Sequence, residues 1–267
     1  MRRRALLSAL AASTATVAST ATSGCLSTAD SLVSGPRTLE PGDELALGGR
    51  SFEPGDPRVQ ATFVDQQWPY WDAVAVDNHV VVGVPLDPTT DGSGASDAVR
   101  DATITARVDG ERVTDPDAVL ANRDDQPPVR LGVPFPTGPV ADSAAIAFGR
   151  APDARLELDA DAREALANPP VLAVDPRVPA ETDGNALTVA LDVANDGGTD
   201  GVLAWTTTHG RIADTWWTHR DAVAPGETRT VAQTWNDLGS PDTGTELSVR
   251  LDWGFDQRRQ TVAVARD

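Results

Sequence analysis

The 267-residue sequence has no lysine, one cysteine and one methionine. All 22 basic residues are arginine, the cysteine is Cys25, and the methionine is Met1. A lone cysteine excludes a disulfide within the chain, and the absence of lysine excludes a Schiff-base nucleophile. A blue-copper site is also excluded, because it needs cysteine, histidine and methionine together in the folded part of a protein. The fold must be stable without covalent cross-links.

Basic charge is also scarce, since 40 acidic residues give a formal net charge of −18. Nucleic acid is therefore a poor partner, because phosphate binding needs a basic face and no stretch supplies one. Carboxylates at this density repel one another unless salt screens them, and at 1 M salt the Debye length falls to ~3 Å. The composition predicts a protein of an extreme halophile.

The N-terminal residues combine an export signal with the single cysteine. Arg3-Arg4-Ala5-Leu6-Leu7 resembles the twin-arginine export pattern, and the following residues 8–21 are too weakly apolar for a membrane span of ~20 apolar residues. Thr22-Ser23-Gly24-Cys25 then resembles a lipobox, although its first position lacks the usual Leu or Val. We expect a signal peptide over residues 1–24, lipidation of Cys25, and a flexible tether over 25–36. The alternative is a cleaved, secreted protein with a spare thiol.

Residues 37–168 read as short strands separated by Gly, Pro and Asp, which predicts an N-terminal β-sandwich domain. The tetrapeptide Glu-Pro-Gly-Asp occurs at residues 40–43 and 53–56, and both copies predict type II turns. A short helical turn is predicted at 115–120, and a helix from Asp159 to Ala167. The polar residues 91–97 predict an exposed loop before a strand, since they lack the ligand spacing of a calcium loop.

Residues 169–267 show clearer alternation and predict a second sandwich. Leu187, Val189, Leu191 and Val193 alternate with polar or small residues, and Asn195-Asp196-Gly197 and Ala224-Pro225-Gly226-Glu227 follow as turns. These motifs resemble the immunoglobulin-like CARDB (cell-adhesion-related) domains of archaeal and bacterial surface proteins, over about a third of the chain. The whole chain is similar to exported lipoproteins of haloarchaea, and its first domain resembles an immunoglobulin-like domain of unknown function in prokaryotic lipoproteins. The expected fold is all-β, with two immunoglobulin-like antiparallel β-sandwich domains in tandem after the leader and linker.

Few residues suggest catalysis or metal binding. The sequence has no Gly-x-Ser-x-Gly elbow, no His-Glu-x-x-His motif and no Gly-rich phosphate loop, while paired carboxylates arise from composition alone. Of the three histidines, His209 and His219 could meet across a hairpin and bind a metal with Asp214 or Asp221, but isolated histidines are the simpler interpretation. We expect no catalytic residue, no metal and no cofactor.

Tryptophan provides the remaining candidates for ligand contact. Trp205 and Trp253 share the parity of core residues, whereas Trp216 and Trp217 are adjacent and must face opposite sides of a strand. Trp68 and Trp71 form a second cluster. Exposed rings stack on sugars, but a packed interface between domains is the preferred interpretation of these four tryptophans.

These observations predict a non-enzymatic, lipid-anchored protein on the extracytoplasmic face of the cell membrane, with a structural or adhesive binding role. Its partners would be the membrane, through the lipid at Cys25, and a surface protein or polysaccharide. A carbohydrate- or envelope-binding module that uses exposed tryptophans is the alternative, and a surface hydrolase ranks third.

The excess of carboxylates makes a prediction about salt. Moving the purified protein from molar to millimolar KCl should lower its thermal midpoint, because carboxylate repulsion is then unscreened. Circular dichroism melts at several KCl concentrations measure this. A midpoint that does not change with salt would contradict the halophile hypothesis.

Overall fold

Alternating apolar and polar residues drive most of the chain into β-strands. The computed structural model describes residues 36–67, 70–91, 93–114, 120–121, 128–139, 141–149, 153–182, 186–210, 216–236, 238 and 246–265. These residues form 21 strands and two short helices, so the prediction of an all-β fold is confirmed. None of the described helices has the length and hydropathy of a membrane span.

The first thirteen strands are mostly short. They are β1 Arg37–Leu39, β2 Leu45–Leu47, β3 Arg50–Pro54, β4 Arg58–Gln60, β5 Phe63–Gln67, β6 Tyr70–Val74, β7 His79–Pro88, β8 Ile104–Val108, β9 Glu111–Arg112, β10 Leu120–Ala121, β11 Val129–Pro136, β12 Ala144–Phe148 and β13 Ala154–Glu157. Helix α1 spans Ala95–Asp101 and helix α2 spans Ala160–Ala167. The Asp159 carboxylate caps α2 by accepting the Ala162 N–H at 2.7 Å, so the predicted helix here is confirmed.

Two sheets face each other across the first core. Sheet I has the order β1-β13-β12-β8-β9, and sheet II has the order β10-β11-β7-β3-β2, with β4 also paired to β7. Their buried side chains form one cluster to which both sheets contribute, with Phe52, Leu86, Leu131, Phe135, Ile146 and Leu156 among its fully or almost fully buried members. The hairpin of β5 and β6, here sheet III, lies outside this cluster, where Phe63 packs with Val81.

The remaining strands surround a second core. They are β14 Leu172–Arg177, β15 Glu181–Thr182, β16 Leu187–Asn195, β17 Gly201–His209, β18 Trp216–Val223, β19 Thr228–Trp235, β20 Glu246–Asp252 and β21 Gln257–Val264. Sheet IV has the order β14-β16-β19, and sheet V has the order β15-β21-β20-β17-β18. The predicted alternation of β16 is confirmed, since Leu187, Val189, Leu191 and Val193 are buried in this core.

The two cores draw on separate parts of the sequence. The first contains residues between Leu39 and Leu166, and the second contains residues between Leu187 and Val262. Residues Gly35–Asp267 nevertheless form one compact unit by their backbone contacts. The division into domains 37–168 and 169–267 therefore stays a prediction.

Strand β17 is buried on both faces and joins the two parts. Leu203 and Trp205 face the second core, while Ala204 meets residue Thr62 of the segment between β4 and β5. The Thr62 hydroxyl donates to the Ala204 carbonyl at 2.8 Å and accepts the Ala204 N–H at 2.7 Å. The Ala61 N–H also donates to the Val202 carbonyl at 3.1 Å. Two hydrogen bonds from a side chain and one from the backbone thus connect the backbone of β17 to the N-terminal part.

One of the two Glu-Pro-Gly-Asp copies is not a turn. The first copy turns as predicted, with Gly42 at φ 88° and the Asp43 N–H donating to the Glu40 carbonyl at 3.0 Å. In the second, residues 53 and 54 belong to β3, and the Gly55 N–H donates to the Pro85 carbonyl of β7 at 2.8 Å. The prediction of a turn at 53–56 is wrong, because cross-strand hydrogen bonds hold this copy extended.

Two further local predictions concern the loop at 91–97 and the helical turn at 115–120. The loop predicted at 91–97 is partly wrong, because Ala95, Ser96 and Asp97 lie in α1, whose residues Ala95, Ala98 and Val99 are buried. Positions 115–119 of the turn predicted at 115–120 lie outside the described residues, and Leu120 begins β10.

The fully buried side chain of Asn195 links backbone segments around the second core by hydrogen bonds. Asn195 ends β16, and its Nδ2 donates to the carbonyls of Thr199 at 2.8 Å and Val223 at 2.9 Å. Its Oδ1 accepts the N–H groups of Val171 at 3.2 Å and Gly197 at 3.0 Å. One side chain therefore satisfies backbone groups of β18 in sheet V, of the turn between β16 and β17, and of Val171 immediately before β14.

Replacing this side chain should be costly. Asn195→Ala leaves up to four buried or partly buried backbone groups without their partner, so we expect a loss of about 3 kcal/mol in the free energy of unfolding. Urea denaturation at fixed high salt measures this. Thr188→Ala, an exposed change on the same strand, is the matched control and should cost less than about 1 kcal/mol. If both variants lost the same free energy of unfolding, the Asn195 hydrogen bonds would not contribute specifically to stability.

Candidate functional site

Trp216 and Trp217 begin strand β18 and face opposite sides of sheet V. The antiparallel ladder pairs Trp216 with Thr208 and Trp217 with Thr207, and successive side chains of a strand alternate between faces. Both tryptophans are half-buried. The two rings therefore occupy different environments, one toward the second core and the other toward the side on which β6 lies.

Trp217 packs into a cluster of rings inside the second core. Its ring stacks on that of His209 with centroids 5.4 Å apart, and the edge-to-face distance to Trp235 is also 5.4 Å. His209 in turn meets Trp235 edge-to-face at 4.8 Å. Such arrangements are favoured by the charge distribution of aromatic rings. Trp217 is thus a packing residue in this structure.

His219 belongs to a second group on the same face. Its ring stacks on the buried Trp205 at 4.1 Å, and the Trp205 indole N–H donates to the Asp221 carboxylate at 2.9 Å. His219 lies opposite Trp205 in the ladder, and Trp205 is four residues from His209 along β17. His209 therefore packs against Trp217 and Trp235, whereas His219 packs against Trp205.

These positions bear on the metal site considered for the two histidines. Burial lowers the pKa of both His209 and His219, and the negative charge of Asp221 opposes this at His219. Within the described ranges, no group of three or more His, Cys, Asp or Glu side chains is placed to hold a metal ion. Of the two acids considered as partners, Asp221 is bound to Trp205, and Asp214 lies outside the described residues.

On the other face of sheet V, Trp216 forms a polar cluster with Asp72, Arg250 and Asp252, called here the junction cluster. The Arg250 guanidinium carbon lies 5.3 Å from the centre of the Trp216 ring. Its Nη2 donates to Asp72 of β6 at 2.7 Å and to Asp252 at 3.0 Å. One arginine therefore joins a tryptophan and a carboxylate of the C-terminal part to a carboxylate of the N-terminal part.

Burial makes the loss of a buried charged side chain from the junction cluster costly in stability. The side chains of Arg250 and Asp252 are only 15% and 8% exposed. Burial raises the pKa of Asp252, although the Gly254 N–H and Arg250 act in the opposite direction. Removing one partner of a buried ion pair typically costs about 3–5 kcal/mol, because the other charge stays buried. Asp72 is 48% exposed, so the cluster also reaches the surface.

The other candidate residues from the sequence have separate locations. Trp71 of β6 is half-buried, and its carbonyl accepts the Thr206 hydroxyl at 3.3 Å, which places it at the contact with β17. His79 begins β7, with its Nδ1 2.7 Å from the Asp77 carbonyl. Arg3, Arg4, Cys25 and Trp68 lie outside the described residues.

Sequence reasoning did not identify Asp72, Arg250 or Thr62. Arg250 alternates with Val249 and Leu251, so its outward direction was readable from parity. Nothing in that pattern indicates that another part of the chain covers the outward face. The only available signal was an arginine and an aspartate two residues apart on a strand, which is common in so acidic a chain.

No protein-family model matches the chain, and no curated protein matches it. Among solved structures, it is similar to part of a β-glucosidase involved in saponin metabolism from intestinal bacteria, with 20% identity and a TM-score of 0.28 over 36% of this chain. This chain spans only 16% of that protein. A structure of titin A168169 matches with 9% identity and a TM-score of 0.18, over 80% of this chain and 98% of that one. Scores this low carry no argument about fold or function.

Proposed function

We propose that the chain is a non-enzymatic, lipid-anchored protein on the extracytoplasmic face of the cell membrane, with a structural or adhesive binding role. The proposal includes export through the twin-arginine signal at Arg3 and Arg4, lipidation of Cys25, and a tether from there to residue 36. It rests on the residue pattern of the N-terminus and on the acidic composition that suits a halophile.

The proposal extends to the fold, as two immunoglobulin-like sandwiches of which the second is CARDB-like. Support comes from sheets IV and V, which enclose one core, and from the two turns of the motif. The Glu227 N–H donates to the Ala224 carbonyl at 3.0 Å, and the Asn195 N–H donates to the Glu227 carbonyl at 3.0 Å. The two turn signals of the sequence therefore meet in space.

The observation that carries a structural role is the use of the aromatic side chains. Trp205, Trp217 and Trp235 pack within the second core, and Trp216 lies beneath Arg250 at the junction. Among described residues, the large apolar side chains that are exposed are Val171 and Phe255, and neither is a tryptophan. Packed rings of this kind make the domain rigid. A rigid domain is what a structural or adhesive role at the cell surface requires.

The membrane anchor is tested by changing its cysteine. Cys25→Ser should move the protein from the membrane fraction to the soluble fraction in high salt, because the serine oxygen does not receive the lipid. Immunoblots of the two fractions measure this, and Ser27→Ala in the tether, two residues after the cysteine, is the matched control. A variant that stays membrane-bound with its leader attached would contradict the lipid anchor.

The junction cluster favours one alternative, a carbohydrate-binding module, because Trp216 lies beside the partly exposed carboxylate of Asp72 and an arginine. Under our proposal, titration with cell-surface polysaccharide should leave tryptophan fluorescence unchanged, since the rings of Trp205, Trp216, Trp217 and Trp235 are already packed. A saturable change that Trp216→Leu abolishes, and that Trp217→Leu leaves in place, would favour the carbohydrate module over the structural role.

A further inference from the structure

The second Glu-Pro-Gly-Asp copy forms a β-bulge on the edge of β7. Pro54 of β3 pairs with Leu86, and Arg58 of β4 pairs with Gly83, so β3 and β4 follow the same edge of β7. Three residues, 55–57, stand between these pairs on one side, but only Val84 and Pro85 on the other. One extra residue in a ladder is a β-bulge, and bulges commonly redirect side chains beside binding sites.

A cavity of about 280 Å³ lies at this bulge, on the outer face of sheet II. Arg58 of β4 and Arg130 of β11 line it from the two sides of β7, and Gly83 contributes to its wall. Gln60 and Asp56 are the other polar residues of the lining. Two guanidinium groups and one carboxylate therefore share the cavity, which gives it a positive charge in an otherwise acidic protein.

Gln60 provides a second, independent observation. It is only 7% exposed, yet its Oε1 has no hydrogen-bond partner and its side chain makes no hydrogen bond to any described residue. The nitrogen end of the carboxamide lies against Gly83, where a Cβ atom would come within 1.7 Å of Nε2. A buried amide is normally paired, and a glycine is required here to admit it. The Nε2 N–H groups, which no described residue accepts, are therefore unpaired donors beside Gly83 in the cavity wall.

Neither arginine is neutralised by a neighbour in the part of the chain that the structure describes. Arg58 and Arg130 take part in no ion pair or hydrogen bond there, although the sequence contains 40 acidic residues. Guanidinium groups that flank a common cavity are well suited to oxygen anions, because each offers parallel N–H donors.

We propose that this cavity binds an oxyanion, either an inorganic sulfate or phosphate or the carboxylate of an acidic sugar. Arg58 and Arg130 hold the negative oxygens, and the Gln60 amide donates a further hydrogen bond. The site shares no residue with the junction cluster or with the lipid anchor proposed at Cys25, so its test is independent of the function proposed above.

Calorimetric titration of the full chain with sulfate, phosphate and glucuronate, at constant ionic strength set by KCl, tests the site. We expect saturable binding of at least one of these probes. Arg58→Gln and Arg130→Gln should each weaken it about tenfold or more, because each removes a charge-assisted contact. Arg259→Gln is the matched control, since it makes the same charge change at an exposed strand position in sheet V, and it should leave the affinity unchanged. Gln60→Met should weaken binding by a smaller factor.

The probes also distinguish the sources of the anion. Tighter binding of glucuronate supports the site with a polysaccharide carboxylate as its ligand, and tighter binding of sulfate or phosphate supports it with a free inorganic anion. Absence of saturable binding for all three probes would overturn the proposal. Equal weakening by Arg259→Gln would also overturn it, because the effect would then reflect net charge and not the cavity. Near-ultraviolet circular dichroism establishes that each variant is folded.

Discussion

The structure depends on how the segment 60–63 is packed between the two cores. Three of its side chains each press against a glycine from a different element: a Cβ on Gly83 would lie 1.7 Å from Gln60, one on Gly132 would lie 2.9 Å from the Phe63 ring, and one on Gly254 would lie 2.9 Å from Thr62. Any side chain at these glycines would displace the segment. Four consecutive residues thus position β7, β11 and the loop after β20 relative to one another.

This packing explains why β17 is buried on both faces. Its odd-numbered residues enter the second core, and Ala204 and Thr206 of the other face are held by the Thr62 hydroxyl and the Trp71 carbonyl. A polar contact of this kind needs each donor and acceptor to be matched, because an unpaired buried group is unfavourable. The relative position of the two parts is therefore specific.

Sequence reasoning succeeded where one local pattern determines the outcome. Strand β16 alternates strictly, the helix at Ala160–Ala167 has an acidic cap and ends near two prolines, and the Asn195 turn combines a strand end with Asp and Gly. For the candidate site, parity separated the directions of Trp216 and Trp217. In each case the information lies within about ten residues.

It failed where distant parts of the chain decide the conformation. The two Glu-Pro-Gly-Asp copies are identical in sequence, but only the second has Pro85 available as a cross-strand acceptor for its glycine N–H. Helix α1 depends on burying Ala95, Ala98 and Val99. The polar residues before it in the sequence indicate a loop and give no sign of this burial. The junction cluster depends on β6 covering sheet V. Asp72 and Arg250 are 178 residues apart in the sequence, so no local sequence pattern contains both.

Arg250 makes contacts that a lysine at the same position could not make. A guanidinium group can donate in several directions at once, and here it contacts Asp72, Asp252, Gln257 and the face of Trp216. A lysine ammonium is a compact point charge and does not reproduce this planar set of contacts. Because Arg250 and Asp252 are largely buried, dissolved ions screen their attraction much less than they screen the exposed carboxylates. Molar salt would then relieve repulsion over the surface while leaving the contact between the two parts intact. An acidic exterior and an arginine-centred junction are therefore compatible in the same solvent.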